Sequence, residues 1–165
     1  MSGNLILMCG IPGAGKSTFL QQNVKNKPNT VIISRDKIRF SIVKPYENYF
    51  SREDEVVKIF WKQINDALAA GKNVYVDQTS ITPRSRTWLL QHVHGYKRAT
   101  ILWIDECLKT CLERNEMRKG TRAYVPENVI RRMSTQFVVP SIKEGFDAVV
   151  RYNSNDNKIR YIERA

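Results

Sequence analysis

Residues 5–20 read LILMCGIPGAGKSTFL, and the fold turns on how that run is taken. Leu5 to Cys9 is an apolar stretch of strand length. It breaks at Gly10, passes through Ile11, Pro12, Gly13 and Ala14 to Gly15, and reaches Lys16 and Ser17 before Thr18 opens a segment compatible with a helix. Gly10-x4-Gly15-Lys16-Ser17 has the spacing of a P-loop. Its glycines let the backbone curl tightly enough for successive N–H groups to point inward at a phosphate, while the following helix aims its positive end at the same spot. The lysine then reaches the β- and γ-phosphates, and the next hydroxyl can sit on Mg²⁺. A Gly-rich surface turn needs neither a strand before it nor a helix after it, and here both are present. The expected phosphate-binding residues are therefore Gly10, Pro12, Gly13, Ala14, Gly15, Lys16, Ser17 and Thr18, with Ser17 as a metal ligand.

The whole chain limits what can surround this loop. Its 165 residues suffice for one well-buried core and not for two ordinary domains, so a single domain over 1–165 is expected. With 42% hydrophobic and 26% charged residues, the composition is that of a folded globular chain rather than a disordered one. No apolar run approaches bilayer length, and the start MSGNLILMCG lacks the basic head and apolar body of a signal peptide. A cytoplasmic location with no membrane partner is the expectation. Cys9, Cys107 and Cys111 are an odd set, which suits reduced thiols better than a disulfide, and Cys107 and Cys111, four apart with no second Cys or His pair beside them, read as buried thiols rather than a metal site. Lys and Arg number 27 against 16 acidic residues, and a net charge of +11 draws polyanions.

In chain order, Lys16 to Lys25 predicts a helix that dissolves at Pro28 and Asn29. Thr30 to Ser34 (TVIIS) is a β-branched run suited to a buried parallel strand, followed at once by RDKIRF, Arg35 to Phe40. Ligands in open α/β sheets bind outside the carboxyl ends of the strands, which puts Arg35, Asp36 and Arg39 at the mouth of the P-loop cleft. Ser41 to Phe50 has no clear period and reads as an irregular connection. Ser51 then serves as an N-cap for a helix with Glu53, Asp54 and Glu55 in its first turn. The strand NVYVD ends on Asp77, in the manner of a strand-end carboxylate that supports Mg²⁺. Thr82 caps the next helix with Pro83 at its first position, and Arg84 and Arg86 oppose the dipole there, which points to an anionic ligand or to solvated surface arginine. Lys97 to Ile104 predicts another strand, with Asp105 capping a helix that begins near Glu106. Arg114, Arg118 and Arg122 then flank a Gly120 hinge, in the manner of a lid that closes on a triphosphate. Two strands, 147–152 and 158–162, predict a C-terminal hairpin. Strands alternating with helices give the fold class: α/β, a P-loop NTPase-type three-layer fold with a central parallel sheet, a helical lid over about 114–132 and a C-terminal β-hairpin.

GIPGAGKSTFL, SRDKIR after the second strand, GKNVYVDQTSITPRSR, RNEMRKGTRAYVPENVIRRM and QFVVPSIKEGF occur in that order. Together they resemble the kinase domain of 5′-polynucleotide kinases, over about residues 5–150. The resemblance implies ATP as phosphoryl donor, Mg²⁺ as cofactor and the 5′-hydroxyl end of DNA or RNA as acceptor. It implies Lys16 and Ser17 on the phosphates and metal, Asp36 as general base, and Arg39 on Asp36 and the substrate phosphate. Asp77 and Thr79 fall near acceptor and metal, and Arg114 near the adenine. The lid arginine on the transferring group is Arg118, or Arg122 because the spacing around Lys119 and Gly120 departs from the phage enzymes. Arg35, Arg84 and Arg86 complete the expected acceptor site. The chain has no Asp-x-Asp pair of the kind an Asp-nucleophile phosphatase requires, so a kinase alone is expected. Two other readings stay open: a kinase for a small metabolite, nucleoside or aminoacyl-tRNA, and a nucleotide-binding switch, which would need no base such as Asp36 for an alcohol.

Overall fold

Apolar side chains alternate to both faces of the strand Leu5–Cys9, which requires a layer of helices on each side. In the computed structural model, which describes residues 2–165, that strand is β1. It is followed by α1 (Lys16–Asn23), β2 (Thr30–Ser34), α2 (Arg35–Ile42), α3 (Glu53–Ala69), β3 (Asn73–Asp77) and α4 (Pro83–His92). The chain continues through β4 (Ala99–Ile104), α5 (Leu108–Glu116), α6 (Glu127–Gln136), a 3-10 turn at Ile142–Glu144, and the strands β5 (Ala148–Asn153) and β6 (Lys158–Arg164).

Leu5, Leu7 and Cys9 of β1 join one core with Ile38 of α2, Val56, Phe60, Ile64 and Leu68 of α3, and Leu89 of α4. Met8 turns to the opposite face, where Phe19 and Leu20 of α1, Cys111 of α5 and Ile130 of α6 pack. Each large side chain so buried contributes about 1.5–3 kcal/mol relative to exposure, and both faces of the sheet are closed. The three-layer α/β architecture expected from the sequence is present.

The six strands lie in the order β2-β3-β1-β4-β5-β6. The first five are parallel and β6 returns antiparallel to β5, as the predicted hairpin. In this order the carboxyl ends of β2, β3 and β1 stand side by side. Ser34 pairs with Asp77 in register, and the Gly10 N–H beyond β1 donates to the Thr79 carbonyl at 2.9 Å. The P-loop, the start of α2 and the end of β3 thus converge on one edge.

Several boundaries differ from expectation for identifiable reasons. RDKIRF continues straight from β2 into α2, because the Ser34 hydroxyl accepts from the Lys37 N–H at 3.3 Å and caps the helix. Ser51 does not cap α3. Its N–H donates to the Asn48 carbonyl in a preceding turn, and Arg52 takes the cap position. Asp105 and Glu106 do not start α5 either: Asp105 accepts from Arg151 Nε at 2.7 Å, Glu106 from Ser154 Oγ at 2.7 Å, and the helix begins two residues later behind Cys107. Cys9 and Cys111 are buried, but Cys107, at that helix start, is exposed, contrary to the expectation that Cys107 and Cys111 are both buried. Thr82 caps α4 as expected, in a reciprocal box with Ser85.

Candidate active site

The P-loop runs from the end of β1 into α1. Gly13 has a φ of +85°, and a Cβ there would lie 2.4 Å from the Cys111 carbonyl oxygen of α5, so only glycine fits both the turn and the approach. Gly15, at φ +105°, caps α1 without a side chain. Lys16, the first residue of α1, is buried rather than on the surface, and its Nζ donates to the carbonyls of Gly10 (2.7 Å) and Ile11 (3.0 Å). Arg114 of α5 donates to the carbonyls of Gly13 (3.3 Å) and Ala14 (3.1 Å). Two cations therefore hold the carbonyls of the loop from two sides. Ser17 and Thr18 are exposed in the first turn of α1. Burial lowers the Lys16 ammonium from its ordinary value; Asp77 works against that shift, and the nearby Arg118 guanidinium reinforces it.

Beside this loop, α2 presents Asp36 on its first turn. The Asp36 side chain is 61% exposed, and its Oδ1 accepts from Arg39 Nη1 and, at 2.5 Å, from the Tyr49 hydroxyl. The Tyr49 oxygen in turn accepts from Arg39 Nη1 at 2.6 Å. Both bonds to Asp36 fall on Oδ1, which leaves Oδ2 to receive a proton. Arg39 itself is almost fully buried and is anchored from behind by Glu53 of α3, through Nε–Oε2 at 3.0 Å and Nη2–Oε1 at 2.7 Å. Arg35 uses the same carboxylate, at 3.1 and 2.5 Å. Burial pushes the Glu53 carboxyl up, but the hydrogen bonds from Arg39 and Arg35 outweigh it and hold the group below the usual carboxylate range. Burial and the bond to Asp36 raise the Tyr49 phenol well above its usual value, so it stays protonated.

Glu53 and Tyr49 are the residues that the sequence reading missed. Glu53 looked like a first-turn acid serving the helix dipole, and Tyr49 like part of an irregular connection. A signal for Glu53 was available: Arg35 and Arg39 are four apart, share one helix face, and call for a common counter-ion.

Asp77 ends β3, half-buried, at the same edge. Burial raises its carboxyl, Lys16 and the Ser17 hydroxyl oppose the rise, and Asp36 adds to it, which places all four groups within one electrostatic neighbourhood. Among the described residues no cluster of three or more His, Cys, Asp or Glu side chains gathers to hold an ion. A hydroxyl and one carboxylate at the mouth of a P-loop nevertheless fit Mg²⁺, which keeps several waters and takes its remaining ligands from substrate phosphates. Ser17 and Asp77 are the residues that would hold it.

The remaining predicted site residues divide. Arg118 lies close enough to act on Lys16, whereas Arg122 donates to the carbonyls of Phe40 (3.1 Å) and Val43 (2.6 Å) at the far end of α2. Arg84 is exposed at the start of α4. Arg86 is not in the site. It is fully buried, paired with Glu144 at 2.6 Å and bonded to the carbonyls of Ser80 (2.8 Å) and Val138 (3.1 Å). A cation near a helix N-terminus signalled an anionic partner correctly, but the partner is a carboxylate of the chain itself. Within 114–132, the stretch expected to act as a lid, Arg114 is bonded to the P-loop, and buried Asn115 donates to the Val125 carbonyl at 2.6 Å and accepts from the Val125 N–H at 3.0 Å. The segment free of these ties is 116–124.

A sequence profile of the AAA domain family matches residues 5–140. The chain belongs to that family. This AAA domain shares its fold with a chain in the structure of the Pnkp1/Rnl/Hen1 RNA repair complex, at 24% identity and a TM-score of 0.70 over 99% of the domain, which spans 49% of that chain. It is also similar to a sugar kinase from Janibacter sp. (12% identity, TM-score 0.65, 93% of this chain and 86% of that one). Kti12 of Chaetomium thermophilum, solved with ADP-AlF3, matches at 16% identity and a TM-score of 0.64, over 93% of this chain and 91% of that one. The AAA domain is accordingly a P-loop kinase-like domain in its fold.

Proposed function

We propose that the domain transfers the γ-phosphoryl group of ATP to the 5′-hydroxyl end of DNA or RNA, with Asp36 as general base. One observation carries the reading: a solvent-facing carboxylate beside the P-loop, locked through one oxygen by Arg39 and Tyr49 and free at the other. A 5′-alcohol is a poor nucleophile at neutral pH, and an oriented carboxylate that takes its proton is the usual remedy. The proton passes from the acceptor oxygen to Asp36 Oδ2, that oxygen bonds to the γ-phosphorus, and the bond from the γ-phosphorus to the bridging oxygen breaks to release ADP. Lys16 exchanges its backbone partners for the β- and γ-phosphates, and Arg118 meets the charge on the transferring group. Ser17 and Asp77 would hold Mg²⁺, which neutralises charge on the phosphates when bound. The net charge of +11 and the ordered motif set favour a polynucleotide acceptor.

Asp36→Asn keeps the shape and removes the proton acceptor. Turnover on a 5′-hydroxyl oligonucleotide should fall by roughly 10²- to 10⁴-fold, with ATP affinity within a few-fold of wild type. Transfer at the normal rate would move the base elsewhere, with Asp77 the next candidate. A second reading, a small-metabolite acceptor at the same site, is favoured by the match to the Janibacter sugar kinase over most of that enzyme's length. Labelled ATP offered with 5′-hydroxyl DNA, 5′-hydroxyl RNA and a panel of nucleosides and sugar acids separates the two.

A further inference from the structure

The connection from α2 to α3 carries an unusual load. Within five residues, Tyr46 is 86% exposed, Tyr49 41% and Phe50 65%. Each exposed ring forfeits the burial that normally holds an aromatic side chain in place, and nothing in the packing of α2 against α3 requires three of them. Tyr49 and Phe50 are nonetheless held by contacts with their neighbours. Tyr49 meets Phe40 of α2 and Phe50 edge to face, at centroid separations of 6.3 and 4.7 Å. The Arg39 guanidinium lies over Tyr49 at 4.2 Å, and that of Arg122 over Phe40 at 4.3 Å. Between the α2 end and the lid loop is a cavity of about 160 Å³, whose walls include Phe40, Lys44, Glu47, Tyr49 and Arg122. Its one carboxylate, Glu47, is turned to the Lys44 backbone N–H at 3.0 Å.

We propose that Tyr46, Tyr49 and Phe50, with Phe40 and Arg122, form a stacking platform for the first bases of a single-stranded 5′ end. The inference rests on the polynucleotide reading of the acceptor site and names the form of the acceptor. The platform begins one hydrogen bond from the chemistry, since the Tyr49 hydroxyl sits on Asp36. A strand whose 5′ oxygen lies at Asp36 Oδ2 has Tyr49 as its nearest exposed ring. Flat rings interleaved with Lys44 and Arg122 combine the two elements that hold single strands without regard to sequence, a π-face for each base and cations for the backbone. Bases inside a duplex have no free face to offer, so the platform selects unpaired 5′ ends.

The test is fluorescence anisotropy with a 3′-labelled, 5′-hydroxyl single-stranded hexanucleotide and with the same strand abasic at its first three positions. Phosphate transfer to both is measured separately. Wild type should bind the base-bearing strand at least about tenfold tighter. Tyr46→Ala and Phe50→Ala should each weaken that strand by about five- to a hundredfold and leave the abasic strand unchanged, as expected for stacking worth 1–3 kcal/mol per base. Tyr46→Leu and Phe50→Leu, which keep apolar volume without a flat face, should show the same loss. Equal wild-type affinity for the two strands, or substitutions that weaken both alike or neither, overturns the platform. Base-dependent binding without transfer would instead leave the platform standing and refute transfer to polynucleotide ends; transfer without base dependence would do the reverse.

Discussion

Burial raises the Asp77 carboxyl above the usual carboxylate range, Lys16 pulls it back, and Asp36 adds to the rise. A carboxyl raised on folding favours the fold in its protonated form: that contribution is full below the unfolded value of about 3.9 and is lost as pH rises through the folded value. At neutral pH the ionised group is therefore a net cost, kept for what it can bind. Asp77→Asn should melt a few degrees higher than wild type at about pH 7.5, with the gain shrinking toward about pH 4, while phosphoryl transfer collapses. Paired melts and transfer assays on the one variant decide it, and a lower melting temperature at neutral pH would refute the account. At this scale the sequence was informative where spacing is local. Gly10 to Ser17 declares its geometry within eight residues, and the strand-end position of Asp77 follows from NVYVD. Tyr49 was opaque because its role depends on a contact with Asp36 that exists only once the α2–α3 connection has folded back, and for Glu53 the Arg35–Arg39 spacing called for a counter-ion without saying which acid supplies it.

α4 is held to the body of the protein by a side chain that the sequence had assigned to substrate. Arg86 ties α4 to the turn at Ile142–Glu144 through Glu144, and to the segment after β3 through the Ser80 carbonyl. Removing one partner of a buried ion pair strands the other, at a cost of about 3–5 kcal/mol. Arg86→Ala should lower the melting temperature by roughly 10 °C, and the double replacement Arg86→Leu with Glu144→Leu should lose less than either single change. Additive losses, with the double variant losing as much as the two single changes together by calorimetry, would mean that the pair is not what holds α4. Helix ends show the same dependence on distant partners. α5 starts late because Asp105, its expected cap, and Glu106, its expected first residue, are engaged by Arg151 and Ser154 on the C-terminal hairpin, more than forty residues away, and no local signal encodes that.

For the whole molecule, alternating strand and helix patterns predicted a parallel sheet, and the β2-β3-β1 neighbours bring the P-loop, the start of α2 and the end of β3 to one carboxyl edge. The order itself was not legible, since buried strands such as TVIIS and NVYVD carry little to say which pairs with which. Charge acts at this scale too. A polynucleotide held by exposed cations should bind more weakly as salt rises, with a log–log slope of about −0.7 per phosphate contacted on a single strand. Arg84→Ala should flatten that slope by about one such unit, whereas Arg86, being internal, contributes nothing to it. A slope near zero in a salt titration, with nucleosides used as well as oligonucleotides, would favour the metabolite reading. The asparagine clasp between Asn115 and Val125 has an effect that reaches beyond any one reaction. Because both ends of segment 116–124 are fastened at a single buried side chain, the strain of a change in its length stays within the segment, and doubling that length adds only about 0.6 kcal/mol of closure entropy. Insertions between residues 116 and 124 should therefore be tolerated by the sheet far better than insertions of equal length in the P-loop.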